Sequence, residues 1–541
     1  MWPGRTSNHG PSARQARPLQ AADEDRHRGR PAQERGGQDR QAYAETAIWR
    51  RQRSPRGECM MSGSSLWAAR IPAGARPDAD PVADAQLDAC LAVLGLKRTD
   101  AGGEVSITGA DPAIDSPHRL AGAMAVAAAA QGTALASLAR EQGHAGQDVS
   151  VEIGRAAHAL HPSRYLKQNG YPIGFDFTFN EPGNGYFRTR DGRWVYLVFT
   201  RPQLRNELLT LLGAPNNREA VAQAVAAWSG QELEDACIAA NLPVSLVRSP
   251  EEWRLHPHAQ ALSRLPVIHT ERAARGAPRL WRQTGPRPLA GLRVLDLSHI
   301  LAGPGLTRTL AEQGADVLRI SAPTQTDPLN FMLDTGFGKR SAFLDLDTPG
   351  DLATVRELIA GADVVVQSYS PGSLARRGLS FEHMIAGHPG LVYVELSAYG
   401  DAGGPWAHRV GFDHNAQSTT GISWVEGGPD SPRLPPTTLV ADYTTAYLGA
   451  AGVLAALRRR AADGGSYRVS LALARTCMWV QDMGLVGAGA PAAPLEPDVL
   501  QMDSPFGKLD YLAPITRFSS TPAFWSDPPL LLGASLPRWS S

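Results

Sequence analysis

The residue best suited to covalent chemistry in this sequence is an aspartate at the start of a helical pattern. The stretch 437–460 reads TTLVADYTTAYLGAAGVLAALRRR. Behind Asp442, apolar residues recur at helical spacing, and the three final arginines suit the negative end of a helix dipole. Asp442 lies at the opposite, positive end, which favours an ionised carboxylate. Taken alone, the pattern favours an ordinary N-cap, because aspartate is a preferred residue there.

An internal repeat changes that balance. Residues 132–155 and 452–475 match at a constant offset of 320 positions, and both are typical of a helix, a turn and a strand. The same offset places Asp442 opposite Gly122. Since one copy builds this helix without the acid, the helix does not require it. Asp442 is therefore a candidate nucleophilic carboxylate, and the first copy is a candidate structural half without a site.

Other polar or glycine-rich positions allow two interpretations each. Gly427 and Gly428 lie one short loop before Asp442 and could let backbone amides approach a developing oxyanion, or form an ordinary mobile loop. Lys339 and Arg340, next to a predicted strand start, could clamp a phosphate or lie in a solvated loop. Ser368 belongs to a polar loop at a strand end, which could line a ligand groove.

Several classes of enzyme are disfavoured by missing motifs. The turn Gly303-Pro304-Gly305 is not a dinucleotide fingerprint, and Pro304 removes one amide donor. The sequence contains no GxSxG elbow, P-loop or HExxH motif, which argues against serine hydrolases, NTPases and zinc proteases. Its four cysteines are far apart and show neither metal spacing nor a disulfide framework. We therefore expect no metal, and reduced thiols in a cytoplasmic protein.

The charge balance and hydropathy limit the partners. Basic and acidic residues number 53 each, so no overall field recruits nucleic acid or an anionic membrane. No unbroken apolar run approaches the roughly 18 residues of a membrane span, and we expect no membrane segment.

The elements that must position Asp442 follow an alternating pattern after Leu289. Strands are expected at 293–297, 316–320, 362–367 and 391–396, with helices between them and a turn at 302–305 leading into a helix. This alternation predicts an α/β fold with a Rossmann-like, doubly wound parallel sheet. Ligands of such sheets bind outside the carboxyl ends of the strands.

The pattern divides the chain into regions. Residues 1–61 are rich in Arg, Gln, Gly and Pro and are expected to be disordered. Residues 62–160 carry the first copy of the repeat, and residues 161–288 form a smaller α+β module whose hairpin turns at Asp191-Gly192. Residues 289–541 form the Rossmann-like region with Asp442.

These segments carry a family resemblance. Residues 289–485 resemble the class III CoA-transferase family, of the formyl-CoA and carnitine CoA-transferase type. The similar segments are GLRVLDLSHILAGPGLTRTLAEQGADVLRI, GKRSAFLDL, ADVVVQSYSPGSLARRGL, GFDHNAQSTTG and LVADYTTAYLGAAGVLAALRRR. Residues 118–290 resemble the second half of that family, so the chain looks like a rearranged fusion with a second-half module in front.

The resemblance implies a function and a set of site residues. Asp442 matches the family's nucleophile, which attacks an acyl-CoA thioester and carries CoA as an aspartyl-CoA thioester to a carboxylic acid. The coenzyme is then a substrate, and no permanent cofactor is expected. Family dimers are intertwined, so a homodimer is expected. The resemblance assigns the glycine-rich loop to Gly427 and Gly428, and coenzyme contacts to Lys339, Arg340, Ser368 and Gln417.

Two other functions stay open. Relatives that racemise 2-methylacyl-CoA carry a histidine where this sequence has Phe412, although His414 follows two residues later. A racemase or epimerase is therefore the second enzyme hypothesis. A catalytically silent CoA-binding subunit is the third hypothesis.

Overall fold

The computed structural model describes residues 79–174, 181–324, 327–487 and 495–540, which belong to the unit Leu66–Ser541. The predicted tail 1–61 lies outside the described residues. In chain order, the helices are α1 (Pro81–Leu94), α2 (Leu120–Glu141), α3 (Ile153–Ala156), α4 (Pro202–Leu212), α5 (Arg218–Val225), α6 (Gly230–Ala239), α7 (Pro250–Leu255), α8 (Pro257–Leu262), α9 (Ala302–Ala311), α10 (Leu329–Gly336), α11 (Pro349–Ala360), α12 (Ser373–Arg376), α13 (Phe381–Gly387), α14 (Asp413–Thr420), α15 (Ile422–Gly427), α16 (Ala441–Asp463) and α17 (Leu473–Asp482).

The strands build several sheets. They are β1 (Gly102–Thr108), β2 (Gln147–Glu152), β3 (Lys167–Gln168), β4 (Tyr171–Pro172), β5 (Gly185–Arg188), β6 (Trp194–Leu197), β7 (Val244–Leu246), β8 (His269–Ala274), β9 (Arg293–Leu297), β10 (Asp316–Ser321), β11 (Lys339–Phe343), β12 (Val364–Gln367), β13 (Val392–Ser397), β14 (Ser466–Ala472), β15 (Val499–Ser504), β16 (Gly507–Leu512) and β17 (Arg517–Phe518).

The largest described sheet has the order β11-β10-β9-β12-β13-β14-β8. Its strands are parallel, except that β8 runs antiparallel to β14. Side chains alternate between its two faces: Val294 and Val364 belong to the core that includes α9 and α16, whereas Leu295 and Val365 belong to the core that includes α11 and α13. Both faces are covered by helices, as parallel strands require. The predicted Rossmann-like α/β fold is confirmed.

Two long helices, one from each copy of the repeat, pack against each other in the centre of the molecule. Helices α2 and α16 make the most extensive helix–helix contact in the described chain. Each helix also packs on the strand that follows it, at a matched pair of residues. A Cβ at Gly132 would lie 2.6 Å from Val149, and one at Gly452 would lie 2.8 Å from Val469. The glycine and the valine that are identical in the two copies thus lie where each helix approaches its following strand.

The repeat extends to the sheets around these helices. In the first copy, β1 pairs in parallel with β2, and β17 lies antiparallel on the other side of β2. In the second copy, β13 pairs in parallel with β14, and β8 lies antiparallel on the other side of β14. The first copy therefore builds a three-stranded counterpart of one end of the large sheet.

The chain interleaves across the regions inferred from the sequence. Strand β8 comes from 161–288 but completes the large sheet of 289–541. Strands β16 and β17, near the C-terminus, pair with β3 and β2. The predicted boundaries thus separate stretches that share sheets.

The smaller module has its own core. Strands β5, β6 and β7 form an antiparallel sheet, and helices α4, α5 and α6 pack on it around buried residues such as Val195, Leu208 and Val221. The predicted hairpin at Asp191-Gly192 is present between β5 and β6. This module supplies one wall of the cavity described below.

Two local predictions need correction. The residues expected to form a turn at 302–305 are the first turn of α9, which begins at Ala302. Pro304 is compatible with this because amides of a helix's first turn need no partner within the helix. Lys339 and Arg340 lie inside β11 rather than beside it, so their side chains point to opposite faces of the sheet.

By length and composition, helix α2 could cross a bilayer, with a mean hydropathy of 1.3. The sequence expectation missed it because it counted unbroken apolar runs, whereas α2 mixes alanine with Gly, Thr and Gln. The whole qualifying window is buried inside the molecule. Core helices of other proteins meet the same criterion, so this finding is weak evidence for a membrane span.

Candidate active site

A cavity of about 470 Å³ opens at the carboxyl ends of β9, β12 and β13. This is the place where doubly wound sheets bind their ligands, and the volume lies in the usual range of ligand pockets. Its walls come from the loop after β9, the loop after β12, the stretch 408–412 before α14, and 201–207 and 240–243 of the smaller module. Asp442 and Ser368 both line it.

Asp442 lies in the first turn of α16, and the residue is only 6% exposed. Its carboxyl oxygens form no hydrogen bond or ion pair with any described residue. Burial raises the pKa of Asp442 well above its ordinary value, and the nearby Asp413 carboxylate raises it further. A carboxylate with a raised pKa is a stronger base and nucleophile when ionised, and this one lines a cavity.

Asp413, at the start of α14, caps the helix that carries Asp442. One carboxyl oxygen of Asp413 accepts hydrogen bonds from the amides of Val440, Ala441 and Asp442, each at 3.0 Å. These are orphan donors at the N-terminus of α16. Asp442 is therefore not the N-cap of its own helix, and its role as a nucleophile stays a prediction.

Sequence reasoning missed Asp413 as a functional residue, although its signal was present. It belongs to the polar segment 411–417, in which Phe412, His414 and Gln417 were singled out but Asp413 was not. The amide nitrogen of Gln417 donates to Asp413 (2.9 Å) and to the carbonyl of Thr438 (2.8 Å). Gln417 thus lies behind the cavity wall and braces Asp413, and its predicted contact with the coenzyme stays a prediction.

The loop after β9 is strained where it meets the cavity. Ile300 has φ +64°, a left-handed conformation that is rare for a β-branched residue. The Ile300 amide donates to Asp327 (3.1 Å), and the amide of His299 donates to the hydroxyl of Ser368 (2.9 Å). Such strain persists only where neighbours enforce it and is common at functional sites. Ser368 therefore both lines the cavity and holds this loop.

Gly427 and Gly428 do not line the cavity. The amide of Gly428 closes α15 by donating to the carbonyl of Trp424 (2.8 Å), so it is not directed at a ligand. A Cβ at Gly427 would lie 2.7 Å from the backbone nitrogen of Arg433. The geometry explains both glycines by packing and turn formation, and it does not favour an oxyanion role.

Lys339 is buried beneath the start of α9. Its ammonium donates to Asp296 (3.0 Å), to the carbonyl of Pro304 (2.6 Å) and to the hydroxyl of Thr307 (2.7 Å). Burial lowers the pKa of Lys339 to about 8, although Asp296 opposes that shift. With its donors engaged inside the protein, Lys339 is not placed to clamp a phosphate.

Arg340 also lies away from the cavity, where it pairs with Asp316 (2.8 Å). The predicted coenzyme contacts of Lys339 and Arg340 stay predictions that the geometry does not favour. Other basic side chains do line the cavity: Arg201, His299, Arg376, His408 and Arg409. They were missed because they lie in loops or, for Arg376, at the end of the short helix α12, and only the fold decides which of these segments meet at the cavity.

A buried ion-pair cluster fixes the smaller module against the cavity. Glu234 of α6 pairs with Arg248, and with Arg409 at 2.9 Å. Burial opposes the ionisation of Glu234, yet the two guanidinium groups lower its pKa to about 2. Arg409 also stacks on Trp406, 4.0 Å from the ring centre. The stretch 408–412 is thereby held in place.

The racemase interpretation depended on His414. Phe412 lines the cavity, whereas His414 is buried and its Nδ1 lies 3.1 Å from the hydroxyl of Tyr196. Burial lowers the pKa of His414, although Asp413 opposes this. The structure does not bring His414 to the cavity wall.

The first copy has no acid at the position equivalent to Asp442. The amide of Gly122 donates to Asp111 (2.8 Å), much as the amide of Asp442 donates to Asp413. A Cβ at Gly122 would lie 2.5 Å from that Asp111 oxygen. The first copy thus keeps the carboxylate cap but has no room for a second acid. In the described residues, no group of three or more His, Cys, Asp or Glu could hold a metal ion.

Comparison with known proteins places these features in one family. The model of CoA-transferase family III matches residues 96–285 and 289–505. The match covers most of the chain, so the chain belongs to CoA-transferase family III.

Curated relatives match over part of their length. An acetyl-coenzyme A transferase of Hypoxylon pulicicidum is 36% identical over 251 residues, covering 44% of this chain and 42% of that protein. The alpha subunit of a succinyl-CoA–L-malate CoA-transferase of Chloroflexus aurantiacus is 34% identical over 191 residues, covering 33% of this chain and 44% of that subunit. The chain spans less than half the length of these two relatives.

Among solved structures, a CAIB/BAIF family protein from Brucella suis is 29% identical, with a TM-score of 0.35. That match covers 41% of this chain and 65% of the other.

Proposed function

We propose that this protein transfers coenzyme A from an acyl-CoA to a carboxylic acid, with Asp442 as the nucleophile. The observation that carries the proposal is the setting of the Asp442 carboxyl. It lines the cavity at the carboxyl ends of the sheet, and no described cation neutralises it. A structural aspartate would be paired or would cap its own helix, and Asp413 does the capping here.

The proposed reaction conserves one thioester. An Asp442 oxygen attacks the thioester carbonyl, the carbon–sulfur bond breaks, and CoA leaves as a thiolate from a mixed anhydride. The thiolate attacks the aspartyl carbonyl and releases the first acid as its carboxylate. The acceptor carboxylate then attacks the aspartyl-CoA thioester, and the freed thiolate attacks the acceptor's acyl carbon. Asp442 is regenerated, and neither a proton nor an electron is gained or lost overall.

The charges around the cavity suit a polyanionic thioester. The charged side chains that line the cavity are mainly basic. Among them, the exposed Arg376 forms no ion pair with a described residue. A guanidinium offers paired donors to phosphate oxygens. We propose that Arg376, rather than Lys339 or Arg340, contacts the phosphates of the coenzyme, with Ser368 nearby in the same wall.

The names of the relatives suggest the acids to try first. One is named as a succinyl-CoA–L-malate CoA-transferase, and another as a succinate–glutarate CoA-transferase. Succinyl-CoA with a panel of mono- and dicarboxylic acids is therefore a suitable first screen. The cytoplasmic location and the homodimer expected from the sequence remain proposals, and light scattering of the purified protein measures the second.

The covalent intermediate gives the direct test. The enzyme is incubated with acyl-CoA and hydroxylamine, and the peptide containing residue 442 is examined by mass spectrometry. We expect an aspartyl hydroxamate at position 442 that requires acyl-CoA. Asp442→Ala should abolish both the hydroxamate and CoA exchange, a loss of at least about 10³-fold.

A matched variant guards against a general effect of removing an acid. Asp430→Asn changes an exposed aspartate in the loop before α16 and should leave exchange unchanged. Full exchange by Asp442→Ala, with no label at 442, would refute the covalent mechanism. Deuterium entry at the alpha carbon without CoA exchange would select the racemase. Tight CoA binding without exchange for any acid would select the silent subunit.

A further inference from the structure

We propose that His161, supplied by the segment that follows the first copy of the repeat, is a positioning residue for Asp442 in the second copy. The inference rests on the proposed function of the site, and it concerns the short loop that delivers the chain into α16. His161 lies between the short helical turns 157–160 and 162–165, and it is 5% exposed.

His161 holds two consecutive residues of this loop. Its Nδ1 lies 2.9 Å from the carbonyl oxygen of Thr437 and 3.2 Å from the hydroxyl of Thr438. A carbonyl can only accept, so Nδ1 carries the proton. The hydroxyl of Thr438 donates to the Thr437 carbonyl at 2.7 Å and can therefore accept from Nδ1. A neutral ring protonated on Nδ1 satisfies both of these contacts.

The loop needs such a restraint because it is strained. Thr438 has φ +61°, a left-handed conformation that β-branched residues rarely adopt. Three side chains from outside the loop contact it: His161, Arg164, whose guanidinium donates to the carbonyl of Pro436 (2.8 Å), and Gln417, which donates to the Thr438 carbonyl. Strain of this kind persists only where the surroundings over-determine the conformation.

The strained residue sets the direction in which α16 begins. Two residues after Thr438, the amides of Val440, Ala441 and Asp442 converge on a single oxygen of Asp413. If Thr438 relaxes to an extended conformation, these amides no longer converge, and the Asp442 carboxyl moves relative to the cavity. A misplacement of about 1 Å in a catalytic group can reduce turnover by roughly 100-fold.

This role gives a function to the segment that follows the first copy of the repeat, although that copy has no acid in the place of Asp442. Burial, helped by the nearby charge of Arg164, lowers the pKa of His161 to about 3, so the ring stays neutral near pH 7. His161 is therefore a fixed hydrogen-bond donor in the reaction's working range. The second copy carries the nucleophile, and the segment after the first copy fixes the nucleophile's backbone.

Substitutions of His161 test the proposal in the full-length protein. His161→Ala should lower kcat about 10- to 100-fold, with a much smaller change in KM for acyl-CoA. His161→Asn places an amide donor near the position of Nδ1 and should retain most of the activity. His161→Gln places its donor near Nε2 and should behave like His161→Ala. Thr438→Gly removes the strain and should restore part of the kcat lost in His161→Ala.

A second measurement does not depend on activity. Hydrogen exchange by mass spectrometry should show faster exchange in peptides covering 437–443 for His161→Ala, but not for His161→Asn. Wild-type kcat in His161→Ala, equal impairment of His161→Asn, or faster exchange spread over the whole molecule would each overturn the inference. If the wild-type protein transfers no CoA but His161→Ala shows faster hydrogen exchange in 437–443 only, the proposed function fails and the positioning role stands.

Discussion

Burial of a carboxylate that no cation neutralises lowers the stability of a protein. Asp442 is such a carboxylate, and it is buried beside a second one, Asp413. Three backbone amides and the side chain of Gln417 donate hydrogen bonds to Asp413. Asp442 has no such partners among the described residues. Proteins retain destabilising groups of this kind chiefly where they act on a ligand. The contrast between these two neighbouring aspartates is the strongest sign of chemistry in the molecule.

The raised pKa of Asp442 predicts how activity depends on pH. The carboxylate must be ionised to attack a thioester, so kcat/KM should fall as pH drops through its pKa. Because burial raises that pKa, the acidic limb should lie well above the ordinary value of 3.8. A profile of kcat/KM against pH measures it. A limb near pH 4 would contradict the desolvated setting of Asp442.

The same shift predicts a stability gain in Asp442→Asn. A carboxyl with a raised folded-state pKa stabilises the fold only while it is protonated, and this contribution is lost as pH rises through that pKa. The amide variant avoids the loss, so its free energy of unfolding near pH 7 should exceed the wild type by about 0.5–2 kcal/mol. Denaturant titrations at several pH values check this. The gain should shrink as the pH approaches 3.8, and a gain independent of pH would exclude this explanation.

The repeated unit of helix and strand is built on a small contact. Gly132 lies against Val149, and Gly452 lies against Val469 and Ile268. At these points the absence of a side chain lets a long helix approach its following strand. The two copies share this contact, whereas Asp442 is present in the second copy only.

Substitution of these glycines should therefore destabilise the protein. Gly452→Ala places a Cβ 2.8 Å from Val469 and from Ile268, and such overpacking typically destabilises by about 1–3 kcal/mol. Gly350 in α11 is a matched control, because a Cβ there meets nothing within 4 Å. Gly350→Ala should be neutral or slightly stabilising, since alanine favours helices over glycine. Thermal unfolding measures the melting temperatures of the two variants. Equal melting temperatures for Gly452→Ala and Gly350→Ala would refute the packing explanation.

Across the whole molecule, the chain is interleaved so that neither half is complete. The large sheet ends on β8 from the first half, and β2 of the first half pairs with β17 from the C-terminal part. Residues 519–540 also contact the large sheet, where the Ser535 amide donates to the Ser341 carbonyl at 2.7 Å. The cavity itself takes one wall from the smaller module.

This interleaving predicts the behaviour of fragments. A fragment of residues 289–541 should not fold alone, because α16 would lose its packing against α2 and β14 would expose an unpaired edge. Co-expression with a fragment of residues 1–288 should restore a soluble complex, measurable by size-exclusion chromatography and circular dichroism. A stable, cooperatively unfolding fragment 289–541 would show that the two halves are independent.

The sequence by itself determined the parallel sheet and the hairpin of the smaller module, because these depend on local periodicity. A repeat within the chain also indicated Asp442 as a candidate nucleophile. Alternating strands and helices can form a sheet in only a few ways. The repeat showed that the helix forms without the acid, since Gly122 stands in the place of Asp442 in the first copy.

Only the tertiary structure decided which polar residues surround Asp442. Lys339 has the positive charge that a phosphate site needs, but its side chain lies in the interior, where its ammonium pairs with Asp296. Arg376 lines the same cavity as Asp442, Asp413 accepts from the amide of Asp442, and His161 contacts the loop before α16. These three residues lie in separate parts of the sequence. Burial and distance depend on contacts between remote segments, which spacing along the chain does not encode.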